Sequence, residues 1–278
     1  MTEGHPSEFD GGAPGCYFHV DNTRAAIIMV TITERRAMMT ADTNPTDRPM
    51  MPPPDLAKLS PVVRWTRAAR SLAHILANPE ATDKVLEFLQ LVNVGSLRER
   101  AAAFFADPRG AQLYAEQRKI DSRTVDMDAL LALPEDTLGH AYATFLRSHG
   151  LTPEVFDNAP EGVPDPKLAY LIQRTRQTHD LWHVVTGCET DPAGEIALQA
   201  FTYAQVHTPG SAILAITGAL KGMRQQPGIV RDVVAHYRTG VRAKRLPVFP
   251  WEDHWATPLA EVRAMLGLPA QPLRRHTA

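Results

Sequence analysis

One stretch, residues 168–210, restricts the fold of this chain more than any other. Its centre reads His179-Asp180-Leu181-Trp182-His183, and Glu195 follows after eleven intervening residues. Leu168, Ile172, Thr175, His179, His183 and Thr186 recur three or four positions apart, the spacing of one face of an α-helix. The pattern predicts a helix with two imidazoles one turn apart on its inward face and Asp180 about 100° round the same turn. Gly187 is expected to end that helix, and Thr190-Asp191-Pro192 to start the next with proline in its first turn. Glu195 then falls in the first turn of the second helix.

Two histidines at i and i+4, an adjacent carboxylate and another carboxylate across a tight connection form a divalent-metal constellation: His179, Asp180, His183 and Glu195. Imidazole nitrogens with hard carboxylate oxygens suit zinc or iron better than magnesium or calcium. The competing reading makes both histidines core residues bonded to backbone carbonyls, with the carboxylates as a cap and a surface charge. For a single histidine that reading is preferred; two on one stripe, with two carboxylates in reach, favour a metal. The pattern is not a zincin's, because aspartate follows the first histidine where that motif has glutamate.

His-Asp-x2-His-x11-Glu, led in by Ala-Tyr-Leu-Ile-Gln-Arg and closed by Gly194-Glu195-Ile196, resembles the coenzyme Q (ubiquinone) biosynthesis protein four family. The similarity extends over residues 56–268 and includes Gly240-Val241-Arg242-Ala243 and Trp251-Glu252-Asp253-His254-Trp255. Thr175 departs from the aromatic residue expected there, a difference of packing behind the ligands. The resemblance implies a mostly α, single-domain, helical bundle-like fold that binds one divalent metal, commonly zinc, between two consecutive helices. It also implies action on a polyprenylated 4-hydroxybenzoate-type ring, with loss of the carboxylate at ring carbon 1 coupled to hydroxylation there. Zinc has no redox chemistry, so either the ion is iron or another redox-capable metal, or the ring itself gives electrons to oxygen. Asp180 is either a direct ligand or a partner that orients a histidine.

Two other classes compete. One is a non-catalytic scaffold that binds prenyl lipid, gathers other quinone-biosynthesis proteins and uses the metal structurally. The other is a phosphohydrolase of the HD superfamily, which would need His149 and Asp232 as further ligands. The expected partners are a polyprenylated aromatic or quinone lipid, other quinone-biosynthesis proteins and a membrane surface met peripherally; a homo-oligomer is compatible with this set.

Bulk properties narrow the field further. A formal net charge of −2 over 278 residues argues against a general nucleic-acid binder. Two cysteines, Cys16 and Cys188, exclude a disulfide framework and fit a reducing compartment. Cys188 reads as a packing residue, with metal contact as the lesser alternative. The most apolar runs, 25–30 and 211–220, fall far short of the roughly twenty residues a span requires. Residues 25–30 are also too short for a signal peptide's apolar core. The expected location is cytoplasmic, peripheral on the inner face of the cytoplasmic membrane.

Residues 1–54 hold scattered Gly, Pro, Thr and Asp without sustained periodicity and read as a disordered tail, with Met38, Met39, Met50 and Met51 as alternative starts. Residues 55–270 read as one helical domain and 271–278 as a flexible end. Helical stripes are expected at Trp65, Ala69, Leu72 and Leu76; at Val85, Phe88, Leu89 and Val92; over 97–105; and at Leu138, Tyr142 and Phe145. The run 211–220 is apolar all round. It reads either as a buried helix or as a lipid-facing helix that lines an apolar groove for a prenyl tail or dips into the membrane surface. Lys221, Arg224, Arg231, Arg238, Arg242, Lys244 and Arg245 then accumulate against Asp232 alone, either as a solvated helix face or as a surface for anionic headgroups or an anionic substrate group, with Ile229, Val233, Val234, Tyr237 and Val241 as the expected inward face.

Overall fold

Proline placed behind a short polar residue starts five of the helices. Ser60-Pro61, Asp107-Pro108, Asp165-Pro166, Asp191-Pro192 and Thr208-Pro209 each put proline in the first turn, where its missing N–H costs no hydrogen bond and its φ suits a helix. In the first four the cap side chain accepts a backbone N–H of that turn, satisfying a donor the helix leaves orphaned.

The computed structural model describes residues 59–273 apart from 79–80, 159 and 161–162. The expected tail at 1–54 and the last five residues of the expected flexible end lie outside the described residues. Eleven α-helices follow in order among the described residues: α1 (Pro61–Ala77), α2 (Thr82–Asn93), α3 (Leu97–Ala106), α4 (Pro108–Ala115), α5 (Met127–Leu131), α6 (Leu138–Ser148), α7 (Pro166–Thr186), α8 (Pro192–Val206), α9 (Pro209–Gly222), α10 (Ile229–Arg242) and α11 (Leu259–Leu266). No strand occurs among the described residues, and the mostly α, single-domain expectation holds.

The main core gathers Tyr142, Leu181, Trp182, Phe201, Trp251 and Leu266, among others, from α6, α7, α8, α11 and the 3₁₀ turn at Trp251–Asp253. A smaller cluster of Ala68, Ile75, Val85, Phe88, Leu91 and Val92 joins α1 to α2, with Ile213 and Leu214 of α9 packed against it. Helix α10 lies along α8, where Gly240 lets the backbones approach: a Cβ there would sit 2.8 Å from Ala204 Cβ and 2.9 Å from the Phe201 carbonyl oxygen.

Burial corrects three of the expected stripes. On α1 the inward residues are Ala68, Ser71 and Ile75, while Trp65, Ala69 and Leu76 are exposed. On α10 they are Ile229, Asp232, His236 and Gly240, with Val233 half-buried, while Val234, Tyr237 and Val241 face outward. In both cases small or polar residues allow closer packing than the more apolar stripe would. Helix α7 is central and buried most of the way round. Its deepest side carries Leu171, Arg174, Thr178 and Leu181, and the stripe from Leu168 through His179 is half-buried. Helices α4 and α5 lie between the stripes expected at 97–105 and at Leu138, where the sequence reading placed no helix.

Candidate metal centre

Helix α7 delivers His179 and His183 one turn apart, their rings 4.9 Å between centroids and nearly perpendicular. Gly187 ends the helix in the left-handed conformation at φ +71°, and its N–H donates to the His183 carbonyl. Arg263 of α11, itself buried, donates from Nε to the Val185 carbonyl at 2.9 Å and from its terminal nitrogen to the Val184 carbonyl at 3.2 Å. That guanidinium satisfies carbonyls the helix end leaves open and fixes the turn that carries His183.

The connection to α8 is as tight as expected. Asp191 caps α8 by accepting the Gly194 N–H at 2.9 Å, which puts Glu195 in the first turn. Gly194 is required there, because a Cβ would lie 2.1 Å from the Glu189 carbonyl oxygen. One ligand atom each from His179, His183 and Glu195 lies within 4.8 Å of the other two. His183 and Glu195 are buried, and His179 is half-buried.

The imidazole of His183 is held in one tautomer. Its Nδ1–H donates to the Cys188 carbonyl at 2.9 Å, which turns Nε2 toward Glu195 Oε1, 3.2 Å away. A backbone carbonyl on one ring nitrogen is a usual way to prepare the other for a metal. Cys188 therefore serves the site through its backbone oxygen. Burial disfavours the charged imidazolium, but the Glu195 carboxylate, the Cys188 carbonyl and the Asp180 charge together hold the His183 pKa above its ordinary value.

Asp180 is buried and does not join the three convergent donors; its charge acts on His183 from beside them. Phe145 of α6 stacks against His183, centroids 5.5 Å apart, and meets the His149 ring at a tilt, 4.5 Å between centroids. His149 Nε2 pairs with Thr190 Oγ1 at 2.8 Å, tying α6 to the loop between the ligand helices. Neither His149 nor Asp232 belongs to a group of convergent donors among the described residues, so the ligand set an HD phosphohydrolase would need is not assembled. Thr175 donates its hydroxyl to the Leu171 carbonyl at 2.8 Å within α7. The residues whose part in the site sequence reading missed are Phe145 and Arg263, which reach it from other helices. Two imidazole nitrogens and a carboxylate, from consecutive helices and largely removed from water, fit a divalent ion of the zinc or iron type.

Comparison with known proteins identifies the family. Residues 54–272 match the family model described as coenzyme Q (ubiquinone) biosynthesis protein Coq4. A ubiquinone biosynthesis protein COQ4 homolog, mitochondrial, of Culex quinquefasciatus is 31% identical over 78% of this chain and 82% of its own length. The Homo sapiens COQ4 homolog, also named mitochondrial, is 31% identical over 77% of this chain and 81% of its own. A crystal structure of a ubiquinone biosynthesis protein of Nostoc punctiforme superposes with a TM-score of 0.59 at 27% identity, covering 73% of this chain and 97% of that one.

Proposed function

The chain belongs to the coenzyme Q (ubiquinone) biosynthesis protein Coq4 family, and on that premise we propose that it removes the carboxylate of a polyprenylated 4-hydroxybenzoate-type precursor at a metal centre. The observation that carries the reading is the convergence of His179, His183 and Glu195 within 4.8 Å on two consecutive helices. These three would hold the ion, zinc or a redox-capable metal such as iron. Bound there, it supplies Lewis-acid polarisation of a substrate carboxylate or phenolate oxygen.

The protein's own residues do the rest. The Cys188 carbonyl holds the Nδ1 proton and so aims Nε2 inward. Phe145 covers one face of the His183 ring and keeps water from it. His179, the least buried of the three, marks the side from which a ring can approach. Asp180 adds negative charge beside His183 without entering the donor set. Replacing the carboxylate by a hydroxyl is a two-electron oxidation of the ring: the carboxylate leaves as carbon dioxide, both electrons pass from the ring to dioxygen, and with one water consumed the products are the ring hydroxyl and hydrogen peroxide.

The substrate's polyprenyl tail places the work at a membrane surface, met from the cytoplasmic side beside other quinone-biosynthesis proteins. No helix among the described residues is long and apolar enough to cross a membrane. The test is turnover of a prenylated hydroxybenzoate by anaerobically purified, metal-replete protein, with and without dioxygen. Carbon dioxide release that disappears in Glu195→Ala supports the assignment. Full metal content with no turnover under any condition would reject it in favour of a structural metal in a lipid-binding scaffold.

A further inference from the structure

The large hydrophobic side chains that remain exposed among the described residues are confined to three helices. They are Val62, Val63, Trp65 and Leu76 on α1; Ile216 and Leu220 on α9, with Met223 just past its end; and Val230, Val234, Tyr237 and Val241 on α10. On α9 and α10 they are spaced by alternating fours and threes, so each helix presents a continuous outer stripe. Both helices pack on α8, and they touch each other. Lys221 Nζ donates to the Leu76 carbonyl at 2.8 Å, which brings the end of α1 beside α9. Helix α9 fully buries only small residues, Gly210, Ser211, Ala215 and Ala219, packs half-buried Ile213 and Leu214 against the α1–α2 cluster, and leaves Ile216 59% and Leu220 63% exposed. Apolar patches on this scale mark interaction surfaces.

Charge is segregated in the same way. Between residues 209 and 242 lie Lys221, Arg224, Arg231, Arg238 and Arg242, all exposed, against a single acidic residue, Asp232, which is buried. Helix α1 has no acidic residue and adds Arg64 and Arg70, while its Arg67 pairs with Glu87 of α2 at 2.7 Å. The chain as a whole is slightly acidic, with a formal net charge of −2, so a local excess of positive charge lies beside its exposed apolar stripes.

We propose that α9, α10 and the adjoining side of α1 dock on an anionic lipid bilayer, with Ile216, Leu220, Val234 and Val241 entering the acyl boundary and Arg224, Arg231, Arg238 and Arg242 meeting lipid phosphates. The two helices are 14 residues each, about 21 Å long. That is too short to cross a hydrocarbon core of about 30 Å and suited to lying in its interface. A second copy of this chain is the poorer occupant. A symmetric contact across α10 would set its arginines against their own kind, with no exposed carboxylate on α9 or α10 to offset them. The proposal gives a location to the membrane contact invoked under the proposed function, and it depends on no part of the metal centre.

Co-sedimentation of the full chain with two kinds of vesicle tests it: phosphatidylcholine alone, and phosphatidylcholine with phosphatidylglycerol. The expected result is binding to the anionic vesicles that weakens as salt rises. Arg231→Glu with Arg238→Glu should lower partitioning on the order of tenfold or more, and Leu220→Asp should lower it at every salt concentration. Metal content should stay unchanged in both variants, which separates failure of the surface from failure of the metal reading. Absence of binding by the full chain, or binding that neither variant weakens, overturns the proposal. So does a solution dimer that these substitutions dissociate while vesicle binding is untouched, because the face would then be a contact between copies.

Discussion

Glu195 Oε1 stands 3.2 Å from His183 Nε2 with both side chains buried, although the two residues belong to different helices. Without a metal this is an ion pair once the imidazole is protonated; with one, the same two atoms become ligands. The proton and the metal therefore compete for one nitrogen.

That competition has a definite pH dependence. The folded-state pKa of His183 is raised above its ordinary value of about 6.5. Its pairing with Glu195 therefore contributes stability to the metal-free protein that is fully present below that ordinary value and is lost as pH rises through the raised one. Metal affinity runs the opposite way, falling as acid protonates His183. The stabilisation added by metal, read as the difference in Tm between metal-replete and chelator-treated protein, should grow with pH across that window. A difference that does not change with pH would refute the pairing.

Gly194→Ala places a Cβ 2.1 Å from the Glu189 carbonyl oxygen, so the loop carrying the Cys188 carbonyl must shift. Metal affinity is expected to fall at least tenfold in competition with a chromogenic chelator. Gly240→Ala, crowded against Ala204 and Phe201 away from the donors, should cost about 1–3 kcal/mol of stability and leave metal affinity unchanged.

His149→Ala removes the bond to Thr190 and the ring contact with Phe145. Chemical denaturation should show a loss of about 1–2 kcal/mol, with metal retained. Loss of metal in this variant would instead restore the HD phosphohydrolase ligand set.

Arg174 is 1% exposed, pairs with Glu252 and donates to the Phe249 carbonyl at 3.0 Å. It joins the centre of α7 to the Trp251–Asp253 turn. Glu252→Ala leaves that guanidinium buried beside no carboxylate and should cost about 3–5 kcal/mol, measured as a shift in the denaturation midpoint at constant m. Glu252→Gln, which keeps an acceptor, should cost less.

What could be read from the sequence was local. Asp191-Pro192 and Gly187 announce where α8 begins and α7 ends, because caps act within a turn. The i, i+4 histidines and the position of Glu195 follow from those boundaries. Which side of a helix turns inward is a global matter, and there the periodicity misled. On α10 the more apolar set, Val230, Val234, Tyr237 and Val241, is outside. The inner set contains Asp232, His236 and Gly240, because Gly240 permits contact with α8 that a larger residue would prevent. Helix α1 fails in the same way, with Ala68 and Ser71 inside and Trp65 outside. Arg263 and Phe145 were invisible as members of the site because they arrive from helices distant in sequence. For Asp180 the sequence left two roles open, ligand or partner of a histidine; it is buried beside the three convergent donors and is not one of them.

Elemental analysis of the purified full chain beside His183→Ala and Glu195→Ala tests the central claim most directly. The account predicts a single bound divalent ion in the parent protein and loss of most of it in each variant, with helical circular dichroism preserved. Full metal content in folded His183→Ala or Glu195→Ala protein would contradict it.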